Sequence, residues 1–171
     1  MKFHVDPLEK KYIWAIIAFT MLAYVVQVYY ATAHNAHPPS NVQTVDSARL
    51  HLEEGAGAGE FMEKNLGLKR GENGELVLTM VAARYGFYPQ EVTVPVDEPI
   101  RLRIATTDVL HGLHVPYSNF NVMVVPGYVS DLTSTFKRTG EFPLICNEYC
   151  GVGHAYMYSR FNIVPQDEFK L

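Results

Sequence analysis

ELVLTMVAARYGFYPQEVTVPVDEPIRLRIATT, Glu75 to Thr107, is the stretch that decides the fold class. Leu76 to Ala83, Glu91 to Val94 and Ile100 to Thr106 are short runs rich in Val, Ile, Thr and aliphatic residues, and Gly86, Pro89, Pro95 and Pro99 punctuate them. Runs of this length and composition, closed by turn formers, read as strands. The pattern continues toward the C-terminus through Asn121 to Val125, Leu132 to Phe136, Phe142 to Cys146 and Tyr158 to Val164. Seven short strands at this spacing predict a Greek-key sandwich or barrel over residues 75–171, with helix nearly absent.

Working outward, residues 34–74 are polar and broken by AHPPSN, by GAGAG at Gly55 to Gly59 and by KRGENG. We read them as a linker and lead-in segment, with room for a short helix through Ser47 to Glu54 or Glu60 to Leu66. Before them, Tyr12 to Ala33 (YIWAIIAFTMLAYVVQVYYATA) carries no charged side chain. A helix of this length spans about 33 Å, enough to cross a bilayer core of about 30 Å. Trp14 and Tyr12 at one end and Tyr29 and Tyr30 at the other take the places of interfacial aromatics. Ala31-Thr32-Ala33 resembles a signal-peptide cleavage site, but the apolar run exceeds the roughly 7 to 15 residues of such a core. Residues 12–33 are therefore expected to be a retained single-pass anchor. Lys2, Lys10 and Lys11 place residues 1–11 in the cytoplasm and residue 34 onward outside it.

The net charge of −4 provides no basic footprint for nucleic acid. Residues 34–171 hold 11 Lys and Arg against 16 Asp and Glu, but the acids are dispersed and read as a solvated surface.

The chain's two cysteines both lie in ICNEYCGVGHAYM, Ile145 to Met157, between the last two predicted strands. An extracytoplasmic pair is first presumed a disulfide. Bridging residues four apart closes so small a loop that the entropic gain is slight, and it leaves His154 and Met157 without a reason. Zinc could use Cys-x3-Cys-x3-His, yet a methionine beside it is a poor zinc ligand. Thiolate, imidazole and thioether together suit copper electron transfer. A mononuclear site needs one cysteine; two thiolates can bridge two coppers. The inventory His111, Cys146, Cys150, His154 and Met157 then lacks one oxygen, which the backbone carbonyl of Glu148, between the cysteines, can supply. Such a ligand set is closed to substrate and suits single-electron transfer.

DVLHGLHVP (Asp108 to Pro116), VPGYVSD (Val125 to Asp131) and CNEYCGVGHAYM (Cys146 to Met157) resemble subunit II of haem-copper cytochrome c oxidases, which carries the dinuclear copper centre CuA. The resemblance implies a cupredoxin barrel on a single N-terminal transmembrane helix. It also implies that Cys146 and Cys150 bridge both coppers, that His111 and Met157 complete one, and that His154 with the Glu148 carbonyl completes the other. The single helix, and a sole tryptophan that lies within it, match the short subunit II of B-type oxidases rather than the long form. In that short form YGFYP, Tyr85 to Pro89, corresponds to the aromatic turn near CuA, where electrons enter. The Glu148 carboxylate resembles a magnesium ligand of the long form.

The function so implied is electron entry. CuA accepts single electrons from cytochrome c outside a bacterial or archaeal cell membrane and passes them to haem in the catalytic subunit I, where oxygen reduction drives proton pumping. A small single-helix subunit in place of the missing second span is a further partner the resemblance allows. The alternatives are a copper-assembly cupredoxin without turnover, the CuA domain of a nitrous oxide reductase, and a quinol oxidase subunit that has lost its copper. In HGLH, residues three apart on a strand face opposite ways, so His111 is the expected ligand and His114 a packed residue. Met80 and Met123 read as filler.

Overall fold

A computed structural model describes residues 6–33, 42–52 and 59–171. AHPPSN and most of GAGAG lie outside the described residues. The chain divides between residues 37 and 38 into two compact units.

The first unit is the helix α1, Pro7–Ala33. It begins five residues before the uncharged run because Asp6 caps it: the Leu8 amide donates to Asp6 Oδ1 at 2.7 Å, with Pro7 in the first helical position, where a missing N–H costs nothing. None of its side chains is buried, and its apolar residues cover every face. A helix of this length and composition fits a single membrane pass.

The second unit is a sandwich of two five-stranded sheets. One contains β1 (Gly67–Arg70), β2 (Leu76–Ala83), β3 (Gly86–Tyr88), β5 (Pro99–Thr106) and β8 (Ser130–Thr135). Its order is β1-β2-β5-β8, with β3 also paired to β2. The other runs β4 (Glu91–Pro95), β10 (Tyr158–Val164), β9 (Gly140–Ile145), β6 (His111–His114), β7 (Asn121–Val124). The pairs β2/β5 and β4/β10 are parallel and the rest antiparallel, as a cupredoxin requires.

The two-residue period of strands sorts the core. Leu76, Leu78, Met80 and Ala82 of β2, with Ile100, Leu102 and Ile104 of β5, face inward onto Val92 and Val94 of β4 and Phe161 and Ile163 of β10. At the centre, the Phe120, Phe136 and Phe161 rings pack with centroids 5.2 to 6.1 Å apart.

Val81 and Ala105 point the other way and gather a second buried cluster with Val45, Leu50, Phe61 and Val129. Three of these come from the lead-in segment, whose described part is anchored to the sandwich rather than lying free of it. The Val45 amide donates to Gly127 O at 3.0 Å, the Val129 amide to Gln43 O at 2.8 Å, and the Gly127 amide to Ser47 Oγ at 2.8 Å. Arg103, mostly buried, ties the segment further by pairing with Glu60 and with Asp131. The helical potential of the segment appears only as two 3-10 turns, Ser47–Arg49 and Glu63–Asn65.

Truncating Phe61 to Ala removes the largest apolar contact of this cluster. Cavity costs for buried phenylalanine predict a loss of roughly 3 kcal/mol or more. Limited proteolysis should then cut within residues 42–66 far faster than in the parent chain, with the β-sheet circular dichroism retained; an unchanged cleavage rate contradicts the anchoring role.

Candidate metal centre

The loop of residues 146–157 hangs between β9 and β10 and is closed by the rung that continues their pairing: the Cys146 amide donates to Met157 O at 3.1 Å. Inside it, a 3-10 turn over His154–Tyr156 folds the chain back, with the Met157 amide donating to His154 O at 3.1 Å. This tight path brings side chains four and seven residues apart onto one point. Cys150 Sγ lies 3.8 Å from Cys146 Sγ, 3.7 Å from His154 Nδ1 and 3.6 Å from Met157 Sδ.

His111 reaches the same point from the first residue of β6, with Nδ1 3.9 Å from Cys146 Sγ. The Cys146 thiol also lies 3.2 Å from the Glu148 carbonyl oxygen. His111, Cys146 and Cys150 can each offer a ligand atom within 4.8 Å of the others. All six residues singled out in the sequence thus converge.

The sulfurs are not bonded: both cysteines are free, and 3.8 Å is far beyond the roughly 2.05 Å of a disulfide. They are also dry. His111 is 0% exposed, Cys146 8%, Cys150 6% and Met157 2%. Burial, with the neighbouring Cys146 adding to it, pushes the Cys150 thiol up to about 11. Cys150 therefore keeps its proton at neutral pH until a cation replaces it.

His114, three residues along β6, pairs with Asn121 of β7 and Ile145 of β9 and stands outside the cluster. Its Nδ1 is buried without a hydrogen-bond partner. Met80 is fully buried in the main core, and Met123 is exposed.

Three supports surround the cluster, and of these only Tyr85, in YGFYP, is expected near the site from the sequence. Asp108, between β5 and β6, accepts a hydrogen bond from His111 Nε2 at 2.9 Å. Although burial opposes its charge, the bonds from His111, the Arg84 and Val109 amides and the Arg84 side chain hold Asp108 well below the usual carboxylate range. Gly112 is the second support: a Cβ there would stand 1.9 Å from Asn147 Oδ1 and 2.9 Å from the Glu148 amide nitrogen, so only glycine lets the cysteine loop rest on β6. Tyr85 is the third: a Cβ at Gly151 would approach its hydroxyl to 2.7 Å, and one at Gly153 would approach its ring to 2.5 Å. An Asp three residues before a His is a visible signal for the first, and the aromatic turn YGFYP for the third; Gly112 depends on tertiary neighbours alone.

The sequence profile of the cytochrome c oxidase subunit II periplasmic domain matches residues 75–164. A cytochrome c oxidase subunit 2 of Thermus thermophilus is 32% identical over 144 residues, covering 84% of this chain and 78% of the relative. A second subunit 2 from the same species is 46% identical over 79 residues, 46% of this chain and 58% of that protein. In three dimensions, a chain from a cryo-EM structure of a haem-copper terminal oxidase dimer superposes with a TM-score of 0.71, at 23% identity, over 92% of this chain and 99% of the other; this likeness concerns the fold. The matches favour the oxidase reading over the copper-assembly and nitrous oxide reductase alternatives. With profile, relatives and a buried thiol pair in agreement, the chain belongs to the copper-binding cytochrome c oxidase subunit II family, the electron-entry subunits of haem-copper terminal oxidases.

Proposed function

We propose that the converging residues hold a dinuclear copper centre: Cys146 and Cys150 bridge, His111 and Met157 complete one copper, and His154 and the Glu148 carbonyl complete the other. The observation that carries this reading is the pair of free, buried sulfurs 3.8 Å apart, each with an imidazole Nδ1 within 3.9 Å. The soft sulfur and imidazole donors suit copper, and a mononuclear copper electron-transfer site would need only one of these thiols. When bound, the centre supplies one-electron storage with little rearrangement.

The protein's own residues provide what that chemistry needs. The β9/β10 rung and the 3-10 turn fix the loop before metal arrives, and burial of His111, both cysteines and Met157 keeps water away. Gly112 sets the height of the Glu148 peptide over β6. On the outer side, Tyr149, Val152, Tyr156 and Tyr158 are exposed around the loop, and Tyr85 lies against it. A cleft of about 380 Å³ between Tyr85, Tyr156, Tyr158 and Arg160 adjoins them. This aromatic face offers an apolar landing for a donor cytochrome c, close to His154 and Cys150. From there electrons pass to haem in a partner subunit, and the reduction of oxygen and the pumping of protons take place in that partner. The helix α1 anchors the chain with its N-terminus in the cytoplasm and the sandwich outside a bacterial or archaeal cell membrane.

Replacing Cys150 with Ser should abolish the absorption bands of the copper-loaded chain or convert them to those of a mononuclear site; an unchanged spectrum contradicts the bridge. Met157→Leu should retain copper and shift the reduction potential, as expected where a weak axial ligand is lost, and complete copper loss rejects that role. Gly112→Ala should lower stability by about 1–3 kcal/mol, the usual cost of overpacking, and weaken copper retention through the displaced Glu148 peptide. A thermal melt and copper retention both equal to the parent would show that the loop does not rest on β6 as described.

A further inference from the structure

Among the described residues, His111 is the candidate ligand with a carboxylate on its far side. Asp108 Oδ1 receives His111 Nε2 at 2.9 Å, and the same carboxylate is gripped from four other donors. Oδ1 also accepts from the Val109 amide at 2.7 Å and the Thr106 hydroxyl at 3.2 Å. Oδ2 accepts from the Arg84 amide at 2.9 Å and from Arg84 Nε at 3.1 Å. An ionised carboxylate can only accept, so Nε2 carries the imidazole proton and the lone pair of Nδ1 faces the sulfurs.

We propose that Arg84 and Asp108 form a positioning pair that fixes the tautomer and tilt of the His111 ring and adjusts how strongly it donates to the copper centre; this rests on the dinuclear reading above. A carboxylate that accepts the far proton of a metal-bound imidazole makes the near nitrogen a stronger donor, which favours the oxidised metal. Arg84 opposes this by drawing charge from Asp108. The pair also joins two parts of the site: Arg84 holds the support of His111, and the next residue, Tyr85, packs on the glycines flanking Val152 in the cysteine loop. The short segment 84–85 thus touches both elements that supply ligands. The Arg84 side chain is half-exposed, so its Nε bond to one largely buried carboxylate is not required by burial of its own charge; the second bond comes from the Arg84 main-chain amide.

The test uses the full-length, copper-loaded chain in detergent with Asp108→Asn and Arg84→Gln variants. Three quantities are read: copper content, midpoint potential at low and high salt, and the nitrogen hyperfine couplings of the two histidines by electron–nuclear double resonance. Asp108→Asn should keep its copper, raise the potential at both salt concentrations, and change the coupling of one histidine nitrogen. Arg84→Gln should move the potential the opposite way by a smaller amount and perturb the same nitrogen. Couplings equal to the parent in both variants overturn the proposal, as do potential shifts that disappear at high salt, which mark remote surface charge only. If Asp108→Asn fails to fold by circular dichroism, Arg84→Gln decides alone, and an unaltered coupling rejects the pair. A parent chain that takes up no copper removes the underlying reading instead, an outcome visible before any variant is measured.

Discussion

Two sulfurs held 3.8 Å apart without bonding are the constraint on which the rest depends. Left in a flexible loop and exposed to oxidant, two cysteines four residues apart would meet and oxidise. Here the rung from the Cys146 amide to Met157 O, the turn over His154–Tyr156 and the Gly112 seat give the loop a single path. That path sets the sulfurs at contact distance and directs one imidazole to each. The rigid sandwich behind it is what makes the geometry cheap to maintain, because β9, β10 and β6 are already ordered by the phenylalanine core.

The layers around this point have distinct tasks. Beneath, β6 supplies His111 and a glycine without which the loop could not approach. To the side, Asp108 and Arg84 hold the imidazole from behind. Above, exposed tyrosines give the loop an apolar outer face. Farther off, the lead-in packs Val45, Leu50 and Phe61 onto the outer face of the sheet containing β2 and β5, and Arg103 adds ion pairs to Glu60 and Asp131. Anchoring of this kind makes the described part of the lead-in a component of the sandwich itself.

Legibility in the sequence follows the same division. The seven strands visible as runs of β-branched and aromatic residues, Leu76–Ala83 and Tyr158–Val164 among them, are present with ends shifted by no more than two residues. The three strands that the run pattern omits, β1, β3 and β6, are GLKR, GFY and HGLH. They are short, begin or run through glycine, and are strands because of their partners rather than their own propensity. The docked lead-in reads as a linker because its apolar residues are sparse and its polar ones numerous, although Val45, Leu50 and Phe61 are nearly fully buried. Within the site, clustered soft donors make the candidate ligands conspicuous and YGFYP marks Tyr85, whereas Gly112 and Arg84 act through neighbours far away in sequence. Asp108 is visible in DVLH as an acid three residues before His111, but only the folded turn shows that its carboxylate meets His111 Nε2.

The proposed pair of coppers in this loop shares one unpaired electron. The most direct measurement is the electron paramagnetic resonance spectrum of the copper-loaded full-length chain, with metal content determined on the same sample. Two coppers per chain and a seven-line hyperfine pattern from two equivalent nuclei are expected; one copper per chain with a four-line pattern would contradict the dinuclear centre.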